Sequence, residues 1–164
     1  MGYYKEEICA LLNQKQIPHK IIEHPPVFTM AEMEEQGIFK EGKVCKNLFL
    51  RNNKGNKHFL VSLPEEKQVD LKKLGELLEN QKLSFASEER LQKYLGVTHG
   101  AVSPLGILND ATHTVTVVLD AEFLHWDAIG VHPNDNTATI WLQPKDLLAI
   151  IEDCEAPYII CKIP

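Results

Sequence analysis

Residues 43–50 read Lys-Val-Cys-Lys-Asn-Leu-Phe-Leu, and this stretch decides the expected fold because its composition is typical of a β-strand. It runs into the Asn- and Gly-rich turn signal of residues 52–56, and a second apolar run, His58–Leu63, follows. The pattern predicts a β-hairpin. Strand side chains alternate between two faces, so Lys46 shares a face with three aliphatic residues. Such a lysine either reaches solvent at a frayed strand end, the commoner case, or points into a pocket.

The rest of the chain carries helix and strand signals in mixed order. Helices are predicted over Tyr4–Gln14, Met30–Gln36, Leu71–Glu79, Glu88–Leu95 and Lys145–Asp153. Further strands are predicted over Ile21–Ile22, Leu83–Ala86, Val115–Leu119, Ile129–His132, Thr137–Leu142 and Tyr158–Ile163. Two hairpins without a regular βαβ alternation predict a mixed α/β (α+β) fold, with helices around an antiparallel or mixed sheet. No linker or repeat divides the chain, so residues 1–164 are expected to form a single domain.

Charge is unevenly distributed. The net charge of −6 argues against a general nucleic-acid binder. One segment nevertheless has six basic residues and a single acidic one, Glu41. The basic residues are Lys40, Lys43, Lys46, Arg51, Lys54 and Lys57. They could neutralise several phosphates, or they could protect the edge of a hairpin from pairing with other strands.

The remaining composition is that of an ordinary globular protein. No apolar run is long enough to span a bilayer, and the N-terminus lacks the apolar core of a signal peptide, which predicts a cytoplasmic protein without a membrane partner. None of the four cysteines forms a Cys-x-x-Cys pair, and His-Glu-x-x-His does not occur. No metal site and no cofactor are therefore expected.

Residues 96–106, Gly-Val-Thr-His-Gly-Ala-Val-Ser-Pro-Leu-Gly, form the second informative stretch. Three glycines allow the backbone to approach a ligand closely, and the apolar residues predict that the loop is packed in place. Backbone N–H groups held in this way can bind an anion or a carbonyl oxygen. A purely structural connection is equally compatible with the pattern.

Histidine and cysteine supply few further candidates. His132 ends a predicted strand and could contact a ligand hydroxyl or phosphate, although a lone histidine is more often structural. His99 and His125 are assigned structural roles. Cys45 lies on the strand face opposite Lys46, so a lysine-activated thiolate is not indicated.

Three segments, in order, give the chain a resemblance to a known family. They are Val44–Leu50, then Gly100–Pro104 with Leu105 and Gly106, then Gly130–Ala138 (Gly-Val-His-Pro-Asn-Asp-Asn-Thr-Ala). With these segments the whole chain resembles the YbaK/ProX family, the free-standing editing domains related to bacterial prolyl-tRNA synthetase. The resemblance implies a mixed α/β domain built on a curved, largely antiparallel sheet surrounded by helices.

The resemblance also implies an activity: hydrolysis of the ester that joins a wrong amino acid to the terminal adenosine of proline tRNA. The Gly-Val-His-Pro-Asn segment is more similar to the branch that clears alanine, and deacylation of Cys-tRNA(Pro) stays open as an alternative. A non-catalytic module that binds an amino acid or an aminoacyl-tRNA also stays open. The implied partners are the acceptor end of mischarged tRNA(Pro) and, as a further candidate, prolyl-tRNA synthetase.

The resemblance implies roles for the residues of this chain that match the motifs of the family. Lys46, Gly100 and His132 are the candidate catalytic residues: the lysine would hold the terminal nucleotide, and the histidine would place its ribose. The substrate's own 2′-hydroxyl would help activate water. The candidate substrate-binding residues are Asn47, Ala101, Val102, Ser103, Pro104 and Gly106. The candidate contacts to tRNA phosphates are Lys40, Lys43, Arg51, Lys54 and Lys57.

Overall fold

The computed structural model describes residues 2–26, 31, 35 and 42–164. In these ranges the helices are α1 (Lys5–Gln14), α2 (Leu71–Leu77), α3 (Glu88–Leu95) and α4 (Pro144–Asp153). The strands are β1 (His19–Glu23), β2 (Lys43–Asn52), β3 (His58–Pro64), β4 (Leu83–Phe85), β5 (Thr116–Asp120), β6 (Ile129–Val131), β7 (Ala138–Leu142) and β8 (Tyr158–Cys161). Short 3₁₀ helices span His99–Ala101, Pro104–Asn109 and Ala121–His125.

Two sequence predictions concern residues outside these ranges. They are most of the helix expected over Met30–Gln36, and the phosphate contact expected from Lys40. No helix in the described part of the chain is long and apolar enough to cross a membrane.

The hairpin of β2 and β3 is confirmed, and Asn52 organises its turn. The Oδ1 atom of Asn52 accepts hydrogen bonds from the backbone N–H groups of Asn56 (3.0 Å) and Lys57 (3.1 Å). Gly55 adopts a positive φ of 72° within this turn, a conformation that glycine reaches without strain. These contacts fix the register in which Lys46 lies opposite Leu63.

The helix ends follow from local capping residues. Asp70 accepts hydrogen bonds from the backbone N–H groups of Lys72 and Lys73, and Ser87 accepts one from Arg90. Gly96 ends α3 in the left-handed conformation. The predicted starts of α2 and α3 are therefore confirmed.

All eight strands form one sheet in the order β1-β7-β6-β2-β3-β5-β8, with β4 also paired to β2. Four pairs are antiparallel, namely β1–β7, β2–β3, β2–β4 and β6–β7. Three are parallel, namely β2–β6, β3–β5 and β5–β8. The prediction of a largely antiparallel sheet was therefore wrong, and the sheet is mixed. The parallel pairs join strands separated by long connections, which return the chain to the same end of the sheet.

Helices cover both faces of this sheet. The larger apolar cluster contains Phe49 of β2 together with buried side chains of α1, α3 and α4. The smaller cluster contains Leu50, the next residue of β2, together with Leu74 and Leu78 from α2 and its C-cap. The alternation predicted for residues 43–50 is thus the alternation between two core layers.

Candidate active site

A cleft of about 350 Å³ opens where the sheet is interrupted along one edge of β2. Strand β3 pairs with β2 from Cys45 to Arg51 along the opposite edge. On the cleft side, β6 pairs only with Lys43 and Val44, and β4 pairs only from Leu50 onward. Neither strand therefore pairs with residues 45–49 along this edge. The cleft is lined by residues 44–48, Glu65, His99, Gly100, Val102, residues 130–132 and Thr139.

Lys46 lines this cleft and is partly buried. Gly100 and His132, the other two candidate catalytic residues, line the same cleft although they are more than 30 residues apart in sequence. The fold thus brings together the three residues that sequence analysis singled out. Whether they act on a substrate stays a prediction.

Asn47, a candidate substrate-binding residue, also lines the cleft. Its Oδ1 atom accepts hydrogen bonds from the buried Ser62 hydroxyl (2.6 Å) and from the Cys45 thiol (3.5 Å). This arrangement commits the amide oxygen to the protein, so the Asn47 NH₂ group is the part suited to donate to a ligand.

Cys45 also lines the cleft, and its surroundings keep the thiol protonated. Burial raises the pKa of Cys45 to about 12, although the hydrogen bond to Asn47 acts in the opposite direction. A thiol is a poor nucleophile compared with a thiolate. Cys45 is therefore unsuited to nucleophilic catalysis at neutral pH.

The glycine-punctuated loop reaches the cleft at fewer points than predicted. Val102 lines it beside Gly100, but Ala101, Ser103, Pro104 and Gly106 do not. These four residues are buried because the loop folds into two 3₁₀ helices that pack on the core.

Local bonds account for the position of these residues. The N–H group of Ala101 donates to Thr98 and that of Gly106 donates to Ser103. The fully buried Ser103 hydroxyl accepts from the N–H group of Leu105 (3.1 Å). Ala101, Ser103, Pro104 and Gly106 thus form the support behind the cleft wall, and their contact with a ligand stays a prediction.

His132 presents a neutral imidazole to the cleft. Its Nδ1 atom lies 3.1 Å from the carbonyl oxygen of Ala138, which can only accept, so Nδ1 carries the proton. Burial lowers the pKa of His132 in spite of that hydrogen bond, and nearby His24 lowers it further. In the neutral ring Nε2 is a hydrogen-bond acceptor, suited to a hydroxyl or an amine of a ligand.

Eight cleft residues were not among the predicted site residues, and apart from Cys45 the polar ones are Glu65, His99 and Thr139. His99 had been assigned a structural role, and it lies exposed at the rim instead. The Thr139 hydroxyl bonds to Nε2 of the buried His24 (2.9 Å). Glu65 directly follows β3, the partner of the Lys46 strand, and this was the only signal in the sequence that could have indicated it.

The predicted basic segment is divided between two places. Lys43 lies at the cleft end of β2, with its ammonium group 5.5 Å from the centre of the Trp126 ring. Arg51, Lys54 and Lys57 lie at the hairpin turn, and β2 rises about 3.3 Å per residue, so Arg51 is about 26 Å farther along the strand. Lys57 forms an exposed ion pair with Glu79 (3.4 Å).

Metal-ligating side chains do not assemble at the cleft. In the described ranges, no group of three or more His, Cys, Asp and Glu side chains is arranged to hold a metal ion. The cleft instead offers the ammonium group of Lys46, the carboxylate of Glu65, the imidazoles of His99 and His132, and amide donors.

Comparison with known proteins identifies the family. The aminoacyl-tRNA editing domain family matches residues 24–150. The prolyl-tRNA editing protein ProX of Acetoanaerobium sticklandii is 47% identical over 148 residues, which cover 90% of each chain. This chain belongs to the aminoacyl-tRNA editing domain family.

Two further similarities extend over almost the whole editing domain. The prolyl-tRNA synthetase associated domain-containing protein 1 of Danio rerio is 36% identical, covering 92% of this chain and 83% of its own. A crystal structure of a proposed trans-editing enzyme for prolyl tRNA synthetase superposes with a TM-score of 0.70 at 21% identity, covering 96% of this chain and 95% of the other. The latter similarity supports the fold alone.

All residues that line the cleft fall within the segment that matches the editing domain family. Helix α1 and strand β8 lie outside that segment. The family relationship therefore covers the cleft completely.

Proposed function

We propose that this editing domain is a trans-acting aminoacyl-tRNA deacylase that hydrolyses mischarged Ala-tRNA(Pro). The observation that carries the proposal is the convergence of Lys46, Gly100 and His132 on one cleft, in a chain that is 47% identical to a prolyl-tRNA editing protein. The bond to be broken is the ester between alanine and the 3′-terminal adenosine.

The cleft suits a reaction in which the substrate is already activated. An aminoacyl ester needs orientation and stabilisation of the developing oxyanion more than it needs a strong nucleophile. Lys46 would bind the phosphate of the terminal nucleotide, and Nε2 of His132 would accept a hydrogen bond from its ribose. The Asn47 NH₂ group and the backbone at Gly100 would face the ester.

Water attack would then depend on the substrate itself. In this proposal the 2′-hydroxyl of the terminal ribose helps to position the attacking water, and no side chain acts as a strong base. The raised pKa of Cys45 fits this scheme, because a protonated thiol does not compete as a nucleophile.

Selectivity would come from size. The amino-acid end of the cleft would be bounded by branched side chains, with Val102 and Val131 on its wall. Alanine is smaller than proline, so a pocket of limited size can admit the error and exclude the correct product. Because aminoacyl-tRNA is made and used during translation, we place the activity in the cytoplasm, with prolyl-tRNA synthetase as a candidate partner.

A deacylation panel tests the proposal. Purified protein is incubated separately with Ala-tRNA(Pro), Cys-tRNA(Pro) and Pro-tRNA(Pro), and the release of each amino acid is followed. The proposal predicts rapid release of alanine and no release of proline above the spontaneous rate. Release of cysteine alone would move the assignment to the Cys-tRNA(Pro) deacylase. Binding of the tRNAs with no release of any amino acid would support the non-catalytic module.

A further inference from the structure

Glu65 is held at the cleft by a defined turn. It follows Pro64, the last residue of β3, which lies opposite Cys45 in the β2–β3 register. The N–H group of Lys67 donates to the Pro64 carbonyl (3.0 Å), which closes the turn. The Lys67 ammonium group pairs with the buried Asp120 carboxylate (2.5 Å) and so anchors the turn to β5. Glu65 is therefore placed by the fold.

The Glu65 carboxylate acts on the groups that line the cleft. Its charge raises the pKa of Cys45, and the charge of Lys46 lowers the pKa of Glu65. Both effects require the carboxylate to lie near Cys45 and Lys46, which line the cleft together with Glu65.

The same carboxylate lacks a direct cationic partner in the described part of the chain. The ion pairs among the described residues do not include Glu65, and Lys67, the nearest basic residue in sequence, pairs with Asp120. Burial, followed by repulsion from Glu66, raises the pKa of Glu65 above its ordinary value. A carboxylate in such a place gains from a cation that a ligand brings.

The charges of the cleft match those of an aminoacylated nucleotide. The protein provides one ammonium group at Lys46 and one carboxylate at Glu65, and His132 is neutral. An aminoacyl-nucleotide end carries the opposite set, a phosphate and the α-ammonium group of the amino acid. We propose that Glu65 binds the α-ammonium group of the aminoacyl ester, so that the cleft recognises a free α-amine; this assignment rests on the proposed function.

Glu65 would then be a positioning residue. Lys46 would hold the nucleotide and Glu65 would hold the amino group, so the ester between them would be held from both sides. A tRNA end without an amino acid would still engage Lys46 and His132 but would leave Glu65 without a partner from the ligand. Lys46 and Glu65 together would thereby favour aminoacylated tRNA over tRNA without an amino acid.

The inference is tested by binding, without depending on hydrolysis. The probe is 3′-alanylamino-3′-deoxyadenosine 5′-monophosphate, in which a stable amide replaces the ester and the phosphate is kept. The matched probe is the propionyl analogue, which lacks only the α-ammonium group. Calorimetry with the wild-type protein should show tighter binding of the alanyl probe by about 10- to 150-fold, the range for a hydrogen bond between charged groups.

Variants of Glu65 and Glu66 test whether the preference for the alanyl probe depends on Glu65. Glu65→Gln should reduce the preference to less than threefold, and Glu65→Asp should restore part of it. Glu66→Gln, the neighbouring carboxylate outside the cleft, should keep the preference. Equal binding of both probes by the wild type, or an unchanged preference in Glu65→Gln, would overturn the assignment.

The deacylase proposal and the α-ammonium site at Glu65 can be refuted independently of each other. If the wild type prefers the alanyl probe through Glu65 but never releases alanine from Ala-tRNA(Pro), the ammonium site stands and the deacylase proposal falls. If the wild type releases alanine but Glu65→Gln keeps its full preference, the deacylase proposal stands and the ammonium site is wrong.

Discussion

At the scale of single residues, Ser103 is a predicted binding residue whose side chain has a structural role in the fold. The resemblance to the editing-domain family placed it among the substrate-binding residues. In the fold its hydroxyl is fully buried and accepts from the N–H group of Leu105. The side chain therefore caps the 3₁₀ helix over Pro104–Asn109.

Replacing Ser103 by Ala should lower stability and leave substrate binding intact. The change leaves the Leu105 N–H group buried without an acceptor, which costs about 1–3 kcal/mol. Urea denaturation should show this loss, while KM for Ala-tRNA(Pro) should stay within twofold of the wild type. A large rise in KM without a loss of stability would restore the binding role that sequence analysis gave to Ser103.

At the scale of elements, the β2–β3 hairpin is joined to α3 through a histidine. Nε2 of His58 lies 2.9 Å from a guanidinium nitrogen of Arg90, which can only donate, so His58 must be neutral for this bond to form. The ring also stacks on Phe49 and contacts Tyr94, with ring centres 5.5 and 4.2 Å away. Burial, followed by the charges of Arg90 and Arg51, lowers the pKa of His58 to about 4.

This histidine predicts a loss of stability in acid. The ordinary pKa of 6.5 applies to the unfolded chain, which therefore takes up the proton first as the pH falls. The contribution of neutral His58 is complete above about pH 6.5 and is lost progressively towards pH 4. The free energy of unfolding, measured by urea denaturation at pH 7 and pH 5, should fall more in the wild type than in His58→Gln. Equal falls in both proteins would contradict this role.

Individual elements show how far the sequence could predict the fold. The hairpin, the caps at Asp70 and Ser87 and the stop at Gly96 depend on local chemistry, and all are confirmed. The parallel pairing of β2 with β6 involves only Lys43 and Val44 and joins segments some 85 residues apart, so no local signal indicates it. The cleft exists because that pairing is so short, so the sequence contained no signal for Thr139 and only the position after β3 for Glu65.

The whole molecule combines a net charge of −6 with basic residues at the two ends of β2. If three phosphates are neutralised, tRNA affinity should fall about 40-fold between 50 and 200 mM salt, because bound counterions are released. A variant with Arg51, Lys54 and Lys57 all replaced by Ala should show a flatter dependence in filter-binding measurements. The same salt dependence in the variant would mean that the hairpin turn does not contact tRNA.

The proposed function depends on the ammonium group of Lys46, which would bind substrate in the cleft at the interrupted edge of the sheet. The most direct measurement is the single-turnover release of alanine from Ala-tRNA(Pro) at subsaturating enzyme, compared for the wild type, Lys46→Ala and Lys72→Ala. Lys72 is an exposed lysine of α2 outside the cleft, which makes it a matched control. We predict that Lys46→Ala lowers the rate about 10- to 150-fold, the range for a lost charged hydrogen bond, with the thermal midpoint and the Lys72→Ala rate unchanged. A Lys46→Ala rate within twofold of the wild type would contradict this role of Lys46.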